Sequence, residues 1–176
     1  MLKTGFAVTA VALAAAPAFA HVSLETKQAT VGSSYKAVFT VPHGCAGSAT
    51  VKLRVQIPEG VIGVKPMPKA GWNLETVKGK YAAEYDYHGS KLSEGVKEVA
   101  WSGGKLADDN YDEFVIITYL SGVLKPNSTL YFPVVQECEQ GISRWIDIPK
   151  AGAGAEAHDG HDSKSPAPGV KLMPKP

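Results

Sequence analysis

Val51, Leu53, Val55 and Ile57 alternate with Lys52, Arg54 and Gln56, and this period of two limits the chain more than any other feature. Successive side chains of a strand point to opposite faces, so an apolar residue at every second position builds a ribbon with one oily side. A helix has a period of 3.6 and would scatter the same residues around its circumference. Tyr35, Ala37, Phe39 and Val41 repeat the alternation. Further runs rich in β-branched and aromatic residues cover 81–87, 96–101, 114–120, 129–136 and 143–148. Between the runs stand Pro42-His43-Gly44, Pro58-Glu59-Gly60, Ser102-Gly103-Gly104 and Lys125-Pro126-Asn127, which is turn chemistry. No window of a dozen residues carries an amphipathic helix. One-sided ribbons must cover each other, so seven to eight short strands predict an all-β fold, an immunoglobulin-like β-sandwich, over residues 21–150.

Two flanking segments lack this pattern. Residues 1–20 carry one early charge, Lys3, then an apolar stretch, then Ala18-Phe19-Ala20, the small-x-small sequence that signal peptidase reads. A signal peptide cut between Ala20 and His21 is expected, with a periplasmic or secreted product. The apolar stretch is too short to span a bilayer comfortably, and no later stretch reaches the roughly 20 residues that a span needs. Residues 151–176 are rich in Ala, Gly and Pro with almost no aliphatic pattern, which predicts a disordered tail. That tail holds His158-Asp159-Gly160-His161-Asp162, a group able to pick up metal only weakly, because ordering it costs affinity.

Cleavage before His21 has a chemical consequence. An N-terminal histidine offers a free α-amine and an imidazole Nδ1 that close a chelate ring on one ion. The amine has a pKa near 8, so a strong Lewis acid displaces its proton at neutral pH. Nitrogen donors in a tetragonal arrangement favour Cu(II). Cys45 and Cys138 are the only cysteines; in an oxidising compartment such a pair forms a disulfide, and no CxxC or CxxH spacing suggests a thiolate site.

The remaining candidates divide between chemistry and packing. In Asp108-Asp109-Asn110-Tyr111-Asp112-Glu113, Glu113 opens an apolar strand and is the best-placed carboxylate to meet a cation held at the N-terminus. Asp112 should point to the opposite face. His43 and His88 stand singly in turns and read as exposed turn residues, while Trp72, Trp101 and Trp145 suit a sandwich core, and Met67 suits packing. The chain lacks a GxSxG elbow, a P-loop, HExxH and a dinucleotide fingerprint, so no enzyme class is indicated. With 18 Lys+Arg against 17 Asp+Glu there is no electrostatic footprint for nucleic acid or anionic lipid.

Taken in order, His21-Val22, Ile57-Pro58-Glu59-Gly60-Val61, Pro68-Lys69-Ala70-Gly71-Trp72, Val99-Ala100-Trp101-Ser102-Gly103-Gly104, Tyr111-Asp112-Glu113-Phe114, the run from Leu130 to Cys138, and Arg144-Trp145 make a set that resembles the YcnI-like copper-binding proteins exported by bacteria. The resemblance covers residues 21 to about 150. It implies a β-sandwich holding Cu(II) in a mono-histidine brace: the amine and imidazole of His21, the carboxylate of Glu113, and Trp145 beside them. Asp108, Asp109 and Asp112 are the alternative carboxylates in the same loop. Many members carry a C-terminal membrane helix or a second copper domain; this sequence shows only the His-Asp tail. The resemblance implies a non-enzymatic role in copper trafficking or buffering, with other periplasmic copper-handling proteins as partners. Two rivals remain: a copper-dependent oxygenase, which would need a second histidine (His43 or His88) near His21, and a metal-free structural module.

Overall fold

A computed structural model describes residues 21–149 and 165–175. The signal peptide expected at 1–20 and the cluster His158–Asp162 lie outside the described residues. Within them the fold is all strand: β1 (Ser23–Leu24), β2 (Gln28–Thr30), β3 (Ser33–Val41), β4 (Thr50–Gln56), β5 (Val61–Pro66), β6 (Asn73–Tyr87), β7 (Ser90–Leu106), β8 (Asp112–Leu120), β9 (Thr129–Tyr131), β10 (Val134–Cys138), β11 (Ile142–Trp145) and β12 (Gly169–Met173).

Two sheets form the sandwich, one ordered β1-β3-β8-β5 and the other β11-β10-β4-β7-β6. Period two determines what each contributes to the core. Leu24, Phe39 and Phe114 stand level across the first sheet, and all are buried. Val134, Val55 and Val99 do the same across the second. Trp101 of the second sheet meets Phe114 of the first with ring centroids 5.4 Å apart, and its indole nitrogen donates to the Met67 carbonyl at 3.0 Å. Trp101 is fully buried as expected; Trp72 is only half-buried, edge-on to Phe114 at 5.0 Å.

The run expected over 129–136 is two strands, because Pro133 has no N–H to offer a ladder and the chain changes partners there. β9 joins β12, whereas β10 joins β4 and β11. β6 and β7 are longer than their sequence pattern suggests and are joined through His88-Gly89. Both of those residues have positive φ, 49° and 81°, the geometry of a two-residue hairpin turn whose twist matches the strands.

The expectation of a disordered tail over 151–176 is corrected at its C-terminal end. β12 pairs parallel with β2 and antiparallel with β9. Val170 and Leu172 are 0% and 1% exposed and belong to the main core. Two apolar side chains in alternation, Val170 and Leu172, suffice for a strand when the edges of β2 and β9 supply the hydrogen bonds. Asp147 and Pro166 also bridge, with Asp147 N donating to Ser165 O at 3.0 Å and Ala167 N to Asp147 O at 2.9 Å. The domain therefore runs past residue 150.

Candidate metal centre

His21 stands two residues before the start of β1, at one end of the sandwich. β1 and β3 run antiparallel with Ser23 opposite Thr40 and Leu24 opposite Phe39. Carried two residues further, that register brings His21 level with Pro42. The ring of His21 is half-buried and lies edge-on to Trp145, with centroids 5.1 Å apart and planes at 80°. Trp145 ends β11 on the edge of the opposite sheet and is 7% exposed. The two edge strands thus bring together the histidine and the tryptophan named from sequence. A cleft of about 420 Å³ is lined by His21, Ser23 and Lys27 and by residues Pro166 to Gly169.

Behind Trp145 lies a polar connection that the sequence did not suggest. Its indole nitrogen donates to Gln136 Oε1 at 3.0 Å. Gln136 is 1% exposed, and its amide nitrogen donates to the His43 carbonyl at 2.7 Å and to Thr50 Oγ1 at 2.8 Å. One buried amide thus ties the wall of His21 to the Pro42-His43-Gly44 turn. The turn is fastened twice more: Gly44 N donates to Asp108 Oδ1 at 2.9 Å, and Cys45 is disulfide-bonded to Cys138 with Cα atoms 5.9 Å apart. The expected disulfide is therefore present, and it anchors the residues next to His43.

The carboxylates have separate duties. Asp108 holds the turn just described. Asp112 pairs with Lys69 Nζ at 2.6 Å, and that ammonium also lies 5.0 Å from the centre of the Phe114 ring. Glu113 is opposite Thr40, which is opposite Ser23, so the three share one row and one face across β1, β3 and β8. Strand spacing puts about 10 Å between the ends of that row. Tyr111 donates its hydroxyl to Glu113 Oε1, and this bond, with burial and nearby acidic charge adding to it, pushes the Tyr111 hydroxyl up to about 12. The structure thus places Glu113 at the same end of the sandwich as His21 but two strands away.

His88 is at the other end. Its ring packs on Tyr87 at 4.4 Å and Tyr119 at 5.7 Å, and Tyr119 is six positions along β8 from Glu113, about 20 Å of extended chain. Met67 is half-exposed at 52%, in a shallow surface depression with Lys36 and Ile117.

Among the described residues no group of three or more His, Cys, Asp or Glu side chains gathers closely enough to hold a metal ion. A centre at His21 would therefore depend on a donor that is not a side chain, and the α-amine that the expected cleavage before His21 would expose is one. Sequence reasoning missed Gln136 and the placement of His43. A single buried glutamine has no spacing signature, and the His43 placement depends on a pairing register and a disulfide between distant residues.

Residues 21–172 match the family described as a domain of unknown function, DUF1775. No curated protein matches the chain. Among solved structures, an uncharacterized protein from Nocardia farcinica, whose crystal structure reveals an immunoglobulin-like fold, is similar, with a TM-score of 0.61 and 21% identity over 87% of this chain and 98% of that one. At that identity the likeness bears on the fold, and it agrees with the sandwich. The family match starts at His21 and ends at Leu172, a buried residue of β12, so it covers His21 and the C-terminal strand together. The chain belongs to the DUF1775 family, the domain of YcnI-like proteins.

Proposed function

We propose that the mature chain is an exported copper-binding protein that begins at His21 and takes Cu(II) as cargo. The α-amine and Nδ1 of His21 form the chelate, Glu113 is the carboxylate named by the resemblance, and Trp145 shields one side from water. The observation that carries this reading is the edge-on packing of Trp145 against His21. A tryptophan fixed by its own buried hydrogen bond holds an imidazole in place and limits the ligands that can approach.

Amine, imidazole and carboxylate are hard to borderline donors, so the centre should favour Cu(II) and hold Cu(I) poorly. Reduction then gives a physical route to release, which suits a carrier or buffer in the periplasm rather than an enzyme. The oxygenase alternative predicts peroxide turnover by the copper-loaded protein; the carrier reading predicts none.

The test is equilibrium unfolding of protein beginning at His21, with and without Cu(II). A ligand at 100 times its dissociation constant adds about 2.7 kcal/mol to a folded state that alone binds it. A shift of that size supports the reading. A metal-free structural module would unfold at the same denaturant concentration in both conditions.

A further inference from the structure

We infer that the outer face of the β1-β3-β8-β5 sheet is a docking surface for a second copy of this chain. The two copies meet face to face and end for end, so that Lys36, Ile117 and Lys65 of each receive Tyr111 and Glu113 of the other. The pairing goes beyond the copper reading and stands whether or not copper binds.

Register defines the face. Phe114 and Ile116 of β8 belong to the core, so Glu113, Val115 and Ile117, which alternate with them, point outward. Ile117 is opposite Lys36 of β3 on one side and Lys65 of β5 on the other, a row with an isoleucine between two ammonium groups. Val115 is opposite Val38, and Met67 N donates to its carbonyl at 2.9 Å, so Val38, Val115 and Met67 form the next row. Between them the two rows shape a depression of about 310 Å³ whose lining includes both lysines and no carboxylate. Glu113 is one row further on, and Tyr111, just before the strand, donates its hydroxyl back to it.

Exposure is the second argument. Tyr111, Met67 and Ile117 are 58%, 52% and 44% exposed, so three large apolar side chains project from one sheet face. Exposed apolar residues scattered singly are ordinary, but a group of them on one face marks a contact surface.

Charge identifies the occupant. Among the described residues neither Lys36 nor Lys65 makes an ion pair, and the Glu113 carboxylate is met by a phenol rather than a cation. The face thus carries both halves of a complementary pair without closing them on itself. Tyr111 and Ile117 lie six positions apart along one strand, about 20 Å. A two-fold axis crossing β8 midway between Glu113 and Val115 sets Tyr111 of each copy over Ile117 of the other. Lys36 and Lys65, one strand to either side of Ile117, then straddle that tyrosine and approach its Glu113. Such a contact is self-complementary, as a closed dimer requires. Sheets packed face to face stand about 10 Å apart, a gap that lysine and glutamate side chains span together.

The surface touches the copper reading at one residue. If Glu113 is drawn to the ion, it is withdrawn from the lysines of the second copy, so Cu(II) weakens the pair and pairing weakens Cu(II) binding. This coupling, unlike the pairing, rests on the copper reading.

The experiment is sedimentation velocity on the full mature chain beginning at His21, metal-free, over a range of concentrations at low and high ionic strength. The parent should pair reversibly, and less so in high salt, which screens exposed charges. K36E/K65E sets like charges face to face and should raise the dissociation constant at least ~10-fold. I117E should weaken the pair as well. All three positions are exposed, so urea unfolding of these variants should match the parent. E113K alone should pair poorly, yet an equal mixture of E113K and K36E/K65E should pair like the parent, because one contact is then native and the other charge-reversed. A parent that stays monomeric at every concentration overturns the inference, as does a dimer that neither K36E/K65E nor I117E weakens. A mixture that does not pair overturns the end-for-end arrangement. Pairing unchanged by one equivalent of Cu(II) overturns the coupling through Glu113 and leaves both the dimer and the His21 chelate standing.

Discussion

Trp145 stands edge-on to His21, with ring centroids 5.1 Å apart, and the same indole donates to the buried amide of Gln136 at 3.0 Å. One side chain therefore connects the first residue of the expected mature chain to a buried amide on β10, one strand in from the edge of the second sheet. The proposed copper centre depends on that contact more than on any other.

Replacing Trp145 with Phe keeps a ring against His21 but leaves Gln136 Oε1 without its donor. A buried acceptor left unsatisfied costs about 1–3 kcal/mol, so W145F should unfold at lower urea with an unchanged m-value. Its copper affinity should fall as well, since the smaller ring beside His21 is no longer fixed by Gln136. A W145F protein as stable as the parent would show that the indole hydrogen bond contributes nothing.

Removing the disulfide should destabilise the fold strongly. Cys45 and Cys138 are 93 residues apart, and in the loop-entropy treatment a cross-link of that span is worth roughly 4–5 kcal/mol. The double variant C45S/C138S should show this loss in denaturant unfolding. Equal stability of oxidised parent and double variant would contradict it.

Leu172 tests the C-terminal strand. It is 1% exposed, and truncating a buried leucine to alanine costs about 2–5 kcal/mol. L172A should lose stability on that scale in urea unfolding, whereas a residue in a solvated tail would give no change.

Glu59 predicts a pH dependence. Burial pushes its carboxyl up, but hydrogen bonds from Lys97, Tyr85 and the Ala82 amide, with the charge of Lys97, hold it below the ordinary 4.5. A depressed carboxylate contributes stability above its unfolded pKa and loses it as pH falls through the folded value. The parent should therefore lose stability below about pH 4.5, and E59Q should be less stable at pH 7 with a shallower acid decline. Parallel pH profiles for the two proteins would show that Glu59 contributes nothing to the acid response.

How far the sequence speaks depends on whether burial marks the element. β4 is evident from the alternation at 51–57 because one of its faces is core. Much of β6 is exposed, so no oily stripe marks its full length; the ladder with β7 forms without one. β5 contains Gly63 at φ 60°, packed under the Tyr87 ring, and that glycine interrupts its apolar run. β12 needs the waiting edges of β2 and β9, which are over a hundred and about forty residues away in sequence. For the site, His21 and Trp145 are legible in the sequence itself, since one follows a cleavage motif and the other lies in a family motif. The neighbourhood of His43 is not, because it follows from Ser23 facing Thr40 and from a disulfide closing a long loop.

The central claim is that copper binds through the α-amine of His21. The most direct measurement is a Cu(II) titration followed by continuous-wave EPR on two proteins: the chain beginning at His21, and the same chain with one Gly in front. The extension keeps every side chain and moves only the amine out of its chelate ring. Binding through the amine predicts a one-to-one, nitrogen-rich signal from the native terminus that is lost with the extension. The same signal and stoichiometry from both proteins would contradict it.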